Sequence, residues 1–212
     1  MRTQRPLFSS FSLLLTLLSP PFLLLLLLLH PTTAATRSGT KAFIRSSCDT
    51  TLYPDLCFSS FSRYSRAIQD DPARLARVAI AVSHSIVLNT FTYLLHNASR
   101  RAHSGRAAVA AHDCVEVFDD AAYNIRRSLR QMRSLGSGSG SGESFAIQMD
   151  NVVSWLGAAM TDESTCTEGF ELVADGDVVK AEVVKRVVKV EAATSNALDL
   201  VSSYASKVTR AP

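Results

Sequence analysis

Four cysteines and five histidines are the side chains of this chain best suited to covalent, redox or metal chemistry. Cys48 and Cys57 are close in sequence, whereas Cys114 and Cys166 have their midpoint inside a Gly/Ser tract at 136–142. If this tract is the turn between two antiparallel helices, Cys114 and Cys166 lie at the same height and a disulfide can join them. An even number of cysteines behind an export signal favours two disulfides, Cys48–Cys57 and Cys114–Cys166, over a metal or redox site.

The histidines and the Gly/Ser tract do not have the spacing of a reactive site. His84 and His96 stand twelve residues apart in one predicted helix, roughly 18 Å, so they cannot share a metal ion. His112 beside Cys114 could activate a thiolate nucleophile, but a half-cystine is the better interpretation in an exported chain. The Gly/Ser tract follows no predicted strand and has no lysine after it, unlike a phosphate-binding loop. We therefore expect no catalytic residues, no cofactor and no metal, and a protein that is not an enzyme.

Residues 1–35 have the layout of a secretory signal peptide. A basic start precedes a very apolar run at 13–29, and small residues at 32–35 offer a cleavage site. An uncleaved membrane anchor is the alternative, because the run approaches spanning length. The interruption at Pro20-Pro21 favours cleavage, so we predict a secreted protein with no membrane segment after cleavage and no second apolar span.

Cleavage at this point leaves 177 residues with a net charge of +1, enough for one domain with a substantial core. Such a weak charge argues against a nucleic-acid partner, which requires a basic stripe. Asn97 begins the tripeptide Asn97-Ala98-Ser99, an acceptor for glycosylation in the secretory pathway.

Four long helical patterns account for most of the mature chain, at about 70–100, 106–135, 145–173 and from 178 onward. Asp70-Asp71-Pro72 is a typical helix start, because an acidic cap precedes a proline that lacks only an orphan N–H. The fourth pattern is ambiguous, since its paired valines favour a strand by propensity. Its valines nevertheless recur at helical spacing, so we predict a helix.

Equal helices joined by short turns predict an all-α fold, an antiparallel up-down-up-down four-helix bundle at 70–212. Residues 36–69 are predicted to form an N-terminal helical hairpin closed by Cys48–Cys57, and the whole forms one domain, 36–212. The core face of the first long helix is expected to comprise Leu75, Val78, Val82, Ile86, Asn89 and Tyr93.

Five stretches of the mature chain carry a recognisable order of residues. They are C-D-T-T-L-Y-P-D-L-C at 48–57, D-C-V-E-V-F-D-D-A at 113–121, W-L-G-A-A-M-T at 155–161, T-C-T-E-G-F at 165–170 and S-N-A-L-D-L at 195–200. Together they resemble the plant pectin methylesterase inhibitor and invertase inhibitor family. The chain departs from the family pattern at Phe118, Gly157, Met160 and Glu168.

The resemblance implies a reversible, non-covalent 1:1 inhibitor of pectin methylesterase in the apoplast or cell wall. Such an inhibitor blocks the pectin-binding cleft, regulates pectin methylesterification and is a monomer when free. The W-L-S-A-A type of third helix favours this target, and the Pro-Lys-Phe stretch associated with invertase inhibitors is absent. An acid invertase inhibitor on the same scaffold and a non-inhibitory structural or ligand-binding cell-wall bundle are the alternatives.

The second and third long helices, joined by Cys114–Cys166, are the expected contact surface for the enzyme. The candidate contact residues lie off their apolar stripes, and the alternative for each is a merely solvated side chain. They are Glu116, Asp120, Asn124, Arg127, Asn151, Ser154, Thr161 and Asp162. Trp155 could stack on a sugar, but its phase beside Leu156 favours a core or interhelix position.

Overall fold

A computed structural model of the protein describes residues 33–102, 105–135 and 144–210. The chain separates into two compact units, Met1–Ser38 and Gly39–Pro212. In the first unit the described residues, 33–38, are helical. The predicted signal peptide at 1–35 therefore lies almost wholly outside the described residues, and all four long helices belong to the second unit.

The described part of the chain is helical and contains no strand, as predicted. Its elements are α1 (Thr33–Cys48), α2 (Pro54–Phe61), a 3-10 turn (Ser62–Tyr64), α3 (Ser65–Ile68), α4 (Pro72–Tyr93), α5 (Arg106–Ser134), α6 (Phe145–Gly169) and α7 (Val178–Thr209). Helix α4 continues through a π-helical turn, Leu94–Ala98, and a last turn, Ser99–Arg101.

Side-chain caps fix the beginnings of α4 and α7. The Asp71 carboxylate accepts hydrogen bonds from the amides of Ala73 and Arg74, one residue before Pro72 opens α4. The Asp177 carboxylate caps α7 in the same way. Each cap satisfies N–H groups that lack a partner in the first helical turn, so the helices begin where the sequence predicts.

Helices α4, α5, α6 and α7 form a ring in which each packs against the next and α7 returns to α4. The α5–α6 and α4–α7 pairs run antiparallel. On α4 and α7, Ser83 lies beside Thr194 and Tyr93 lies beside Arg186. Ser128 of α5 donates to the Val152 carbonyl of α6 at 3.3 Å, whereas Cys114 lies beside Cys166. Residue numbers that rise on one helix thus fall on its neighbour, which confirms the predicted bundle.

Helix α7 forms despite its many β-branched residues. Its valines at 179, 183, 187 and 190 are buried on one face, so their helical spacing outweighs the strand propensity that they carry. Burial of an apolar stripe, rather than intrinsic propensity, decides this segment.

The predicted core face of α4 is wrong in part. Asn89 is exposed and Val78 is half-buried, whereas Ala79, Ile80 and Val87 are buried. Alanine, valine and isoleucine occur on several sides of this helix. Two neighbouring apolar stripes therefore fit the helical period, and the sequence pattern does not decide which one is buried. The expectation of no second apolar span is also wrong, because Pro72–Arg101 is long and apolar enough to pass as one. The helix instead packs in the bundle core.

Helix α6 ends at Gly169, four residues before the predicted end at Val173. The amides of Phe170 and Glu171 donate to carbonyls three residues back, which tightens the last turn and ends the helix. Phe170 and Val173 still enter the core, which explains why the apolar pattern runs past the helix.

The short helices before the bundle pack against α4 and α7, and a disulfide and polar bonds hold the loop between α1 and α2. Cys48 and Cys57 form a disulfide with a Cα–Cα distance of 5.6 Å. The Asn196 amide of α7 bonds both the N–H and the carbonyl of Tyr53, each at 3.1 Å. The Asp199 carboxylate accepts from the Leu52 amide at 2.9 Å. Two polar residues of α7 thus fix the loop between α1 and α2.

Candidate protein-binding face on helices α5 and α6

Helices α5 and α6 are joined by the second disulfide. Cys114 and Cys166 are buried, and their Cα atoms lie 4.6 Å apart, within the normal range for a disulfide. Among the described elements these two helices also make the most extensive contact. The covalent bond prevents one helix from sliding along the other, so side chains on both keep fixed relative positions.

Polar bonds between the two helices repeat along the pair. The Asn124 amide donates to the Asp162 carboxylate at 3.3 Å. Further along, the Gln131 amide donates to the Gln148 side-chain oxygen at 2.8 Å. Together with the disulfide, these bonds order the side chains along the seam between the helices.

A cation–aromatic cluster lies between these two hydrogen bonds. The Arg127 guanidinium carbon of α5 is 4.1 Å from the ring centroid of Trp155 on α6. The same guanidinium lies 5.5 Å from the ring of Tyr123, which is 56 % exposed. Because Trp155 stacks on Arg127, it lies between the two helices, the position that the sequence favoured over a role in sugar stacking. The same arginine holds the Tyr123 ring toward solvent. Sequence reasoning did not select Tyr123, because an exposed aromatic residue one turn before an arginine is not a distinctive pattern.

The eight predicted contact residues lie at the surface of α5 and α6, although not on a single flat face. Glu116, Asp120, Ser154 and Thr161 are exposed; Asn124, Arg127, Asn151 and Asp162 are half-buried. The structure brings together Asn124 with Asp162, and Arg127 with Trp155. Whether any of the eight contacts a partner stays a prediction.

Thr161 faces a different neighbour from the rest. It lies on a groove of about 470 Å³ that α6 forms with Leu52, Tyr53 and Ser195. The predicted surface therefore wraps around α6 toward the α1–α2 loop and α7. A contact there would add the exposed Leu52 side chain to the surface.

Charge is divided along α5. Its acidic residues lie at 113–120 near the disulfide, and four of its five arginines lie at 126–133, the fifth being Arg106 at its first position. Only Arg133, in the last turn, is placed to interact favourably with the helix dipole. Burial raises the pKa of the Asp162 carboxyl, the Asn124 hydrogen bond lowers it, and the nearby charge of Asp120 raises it. The face thus presents an acidic half and a cationic, aromatic half.

A buried acid on α6 was not predicted. Glu163 is fully buried, and its Oε1 accepts a hydrogen bond from the Thr194 hydroxyl of α7 at 2.7 Å. The Ser83 hydroxyl of α4 lies 2.8 Å from the same hydroxyl. Burial raises the pKa of Glu163 to about 8, more than the Thr194 hydrogen bond lowers it. The carboxyl is therefore neutral at pH 7. The position of Glu163 on the apolar stripe of α6 was the sequence signal that could have predicted its burial.

Sequence comparison adds to this geometry. Residues 42–200 match the family described as plant invertase/pectin methylesterase inhibitor. The chain belongs to this family. The match covers the end of α1, all of α2 and nearly all of the four-helix bundle, including both disulfides and the α5–α6 face.

Curated plant proteins are identical to this chain at about a third of the aligned positions. The 21 kDa protein of Daucus carota is 36 % identical over 174 residues, covering 82 % of this chain and 89 % of its own length. Pectinesterase inhibitor 9 of Arabidopsis thaliana is 35 % identical over 173 residues, with 81 % and 84 % covered. Pectinesterase inhibitor 11 of Arabidopsis thaliana is 33 % identical over 178 residues, with 84 % and 87 % covered.

The fold also matches solved structures. A crystal structure of a mutant form of a pectin methylesterase inhibitor from Arabidopsis superposes with a TM-score of 0.57 at 18 % identity. The match covers 73 % of this chain and 92 % of that one. At this identity the likeness concerns the fold, which is the predicted helical bundle.

Proposed function

We propose that this chain is a proteinaceous inhibitor of plant pectin methylesterase that binds the enzyme reversibly, without a covalent bond, in a 1:1 complex. The observation that carries the proposal is the α5–α6 face, whose side chains are held in register by a buried disulfide within a family of such inhibitors. In the complex, α5 and α6 lie across the pectin-binding cleft and exclude methyl-esterified pectin. The chain itself catalyses no reaction.

Rigidity of this face is what makes occlusion effective. A stable interface of standard size buries about 1,600 Å² in total, and ordering of mobile side chains reduces the net affinity. The cluster of Tyr123, Arg127 and Trp155 is already ordered in the free chain. Tryptophan, tyrosine and arginine are also the residue types that most often dominate binding energy. We therefore place the centre of the interface at this cluster, with Asn124 and Asp162 beside it.

The setting of the proposed function is extracellular. Cleavage of the 1–35 signal peptide releases a single inhibitor domain, 36–212, into the apoplast or cell wall, where it regulates pectin methylesterification. Asn97 is exposed on the π-helical turn after α4, a position accessible to glycosylation. The free inhibitor is a monomer.

The test is a titration of the mature protein against a plant pectin methylesterase, followed by acid release from methyl-esterified pectin. The expected result is loss of activity that is complete near molar equivalence and is recovered on dilution. Unchanged acid release at a several-fold molar excess would contradict the proposal.

The same titration against acid invertase, followed by glucose formation, separates the two targets that the family description includes. Slowing of invertase alone would assign the chain to that target instead. Inhibition of neither enzyme would favour a structural or ligand-binding wall protein.

A further inference from the structure

The helix pair opposite the α5–α6 face forms a cationic cavity that opens to solvent. In the ring of four helices, α4 and α7 lie across from α5 and α6. Between them is a cavity of about 270 Å³. We call it the α4–α7 cavity; its polar lining consists of Asn89, Thr90, Glu182, Lys185, Arg186 and Lys189.

Arg186 is held in one orientation at this cavity. Its guanidinium carbon lies 3.9 Å from the ring centroid of Tyr93, and its Nε is 3.7 Å from the Glu182 carboxylate. Among the described residues, neither the buried Nε of Arg186 nor the buried hydroxyl of Tyr93 has a hydrogen-bond partner. Buried polar atoms are usually satisfied, so the contact between Arg186 and Tyr93 leaves hydrogen-bonding capacity unused beside the cavity. Tyr93 itself does not line the cavity, and its ring acts by fixing the Arg186 guanidinium.

The lining carries more positive than negative charge. Three cations, Lys185, Arg186 and Lys189, face the single carboxylate of Glu182. Lys185 and Lys189 stand one helical turn apart and form no ion pair within the described part of the chain. Like charges at this spacing repel each other. An anion in the cavity would relieve this repulsion.

We propose that the α4–α7 cavity binds a carboxylate of an acidic polysaccharide, namely the polygalacturonate stretches of de-esterified pectin. A planar guanidinium whose orientation is fixed suits a carboxylate, and the two lysines add charge without demanding one geometry. The exposed Asn89 amide can both donate to and accept from sugar hydroxyls. The choice of polygalacturonate rests on the proposed function, because hydrolysis of pectin methyl esters leaves a carboxylate on each galacturonate unit.

Two separate faces would then serve two partners. The enzyme would contact α5 and α6, while the polysaccharide would contact α4 and α7 on the other side of the bundle. The inhibitor would accordingly be retained where the esterase has already acted, with its inhibitory face free.

The experiment measures binding of the full mature chain to polygalacturonate by affinity electrophoresis, with fully methyl-esterified pectin and dextran sulfate as comparison polymers. The test variant is Lys185→Ala/Lys189→Ala. The matched control is Lys41→Ala/Lys207→Ala, which removes the same charge from exposed positions elsewhere. Thermal unfolding of each variant verifies that the fold is kept.

The proposal predicts that polygalacturonate retards the wild-type chain and that methyl-esterified pectin does not. The test variant should bind polygalacturonate about tenfold more weakly, while the control stays within about twofold. Equal weakening in both variants, or equal retention on dextran sulfate, would reduce the effect to general charge attraction and overturn the proposal.

Titration of pectin methylesterase with the same variants keeps the two proposals distinct. Unchanged inhibition by the test variant, together with its weaker polygalacturonate binding, supports a second site. If wild-type protein fails to inhibit the esterase but binds polygalacturonate through these lysines, the proposed function fails and the cavity assignment stands. If the test variant binds polygalacturonate as tightly as wild type, the cavity assignment fails whatever the inhibition.

Discussion

The two opposite sides of the bundle are stabilised by different kinds of interaction. Helices α5 and α6 are joined by a disulfide and by hydrogen bonds across their seam. Helices α4 and α7 are linked through the hydroxyls of Ser83 and Thr194, which lead to the carboxyl of Glu163. The α5–α6 side is fixed covalently, whereas the α4–α7 side is linked through two hydroxyls to a buried carboxyl of α6 whose protonation state depends on pH. The comparison suggests that the fixed side serves recognition of a protein surface.

The largest expected effect comes from removal of the disulfide of the fixed side. The Cys114→Ser/Cys166→Ser variant should lose about 4 kcal/mol of unfolding free energy by the chain-entropy model, because the closed loop is long. Its inhibition of pectin methylesterase should weaken strongly, since α5 and α6 are no longer held in register. Denaturant unfolding and the esterase titration measure the two effects.

The control for this variant is Cys48→Ser/Cys57→Ser. The closed loop there is short, so the expected loss is about 2.7 kcal/mol, and inhibition should be weakened less. If the Cys114→Ser/Cys166→Ser variant inhibits the esterase as well as wild type does, the Cys114–Cys166 disulfide is not needed for recognition of the enzyme.

The second effect concerns the buried carboxyl of Glu163 on α6, which accepts the hydrogen bond from Thr194 of α7. The folded-state pKa of Glu163 is about 8, above its ordinary value of 4.5, so the folded state binds the proton more tightly than the unfolded state. Stability from this group is complete below about pH 4.5 and is lost as the pH rises toward 8. The unfolding constant should rise by up to about tenfold per pH unit within this window.

The Glu163→Gln variant should lack this pH dependence, and Glu168→Gln, an exposed residue at the end of α6, is the matched control. Urea unfolding at pH 5, 6, 7 and 8 measures each of them. A wild-type stability that changes with pH at the same rate as that of Glu163→Gln would show that the carboxyl is already ionised in the folded state.

A smaller effect is expected at the aromatic cluster of the fixed side. Tyr123→Ala should weaken inhibition about 30-fold, the factor that corresponds to a hot spot of about 2 kcal/mol. Val188→Ala removes a similarly exposed apolar side chain from α7 and should leave inhibition within about twofold. If both substitutions have the same effect, the interface does not centre on α5 and α6.

The smallest effect is a gain in stability at Gly157. This glycine lies inside α6, and a Cβ built there meets nothing within 4 Å. Gly157→Ala should therefore raise the unfolding free energy by about 1 kcal/mol, as expected for alanine in a helix interior. Denaturant unfolding measures the change, and a loss of stability would indicate that the site is closed in solution.

Much of this architecture could be predicted because its determinants are local. The caps at Asp71 and Asp177 act on amides two and three residues away, and the valines of α7 recur within one helix. The pairing of Cys114 with Cys166 follows from the symmetry of their positions about the Gly/Ser tract.

Features that depend on several helices could not be predicted in the same way. Glu163 is buried because Thr194 and Ser83 approach it from two other helices, and a single helical pattern does not contain that arrangement. The stacking of Arg127 on Trp155 depends on the register of α5 against α6. On α4, an apolar surface on several sides left the buried face undetermined until the neighbouring helices were placed.

Hydrogen–deuterium exchange of the inhibitor, with and without pectin methylesterase, tests the central claim most directly. The account predicts slower exchange in the complex along 116–131 of α5 and 148–162 of α6, with no change at 85–93 of α4 or 182–189 of α7. Protection confined to α4 and α7, with α5 and α6 unchanged, would contradict it.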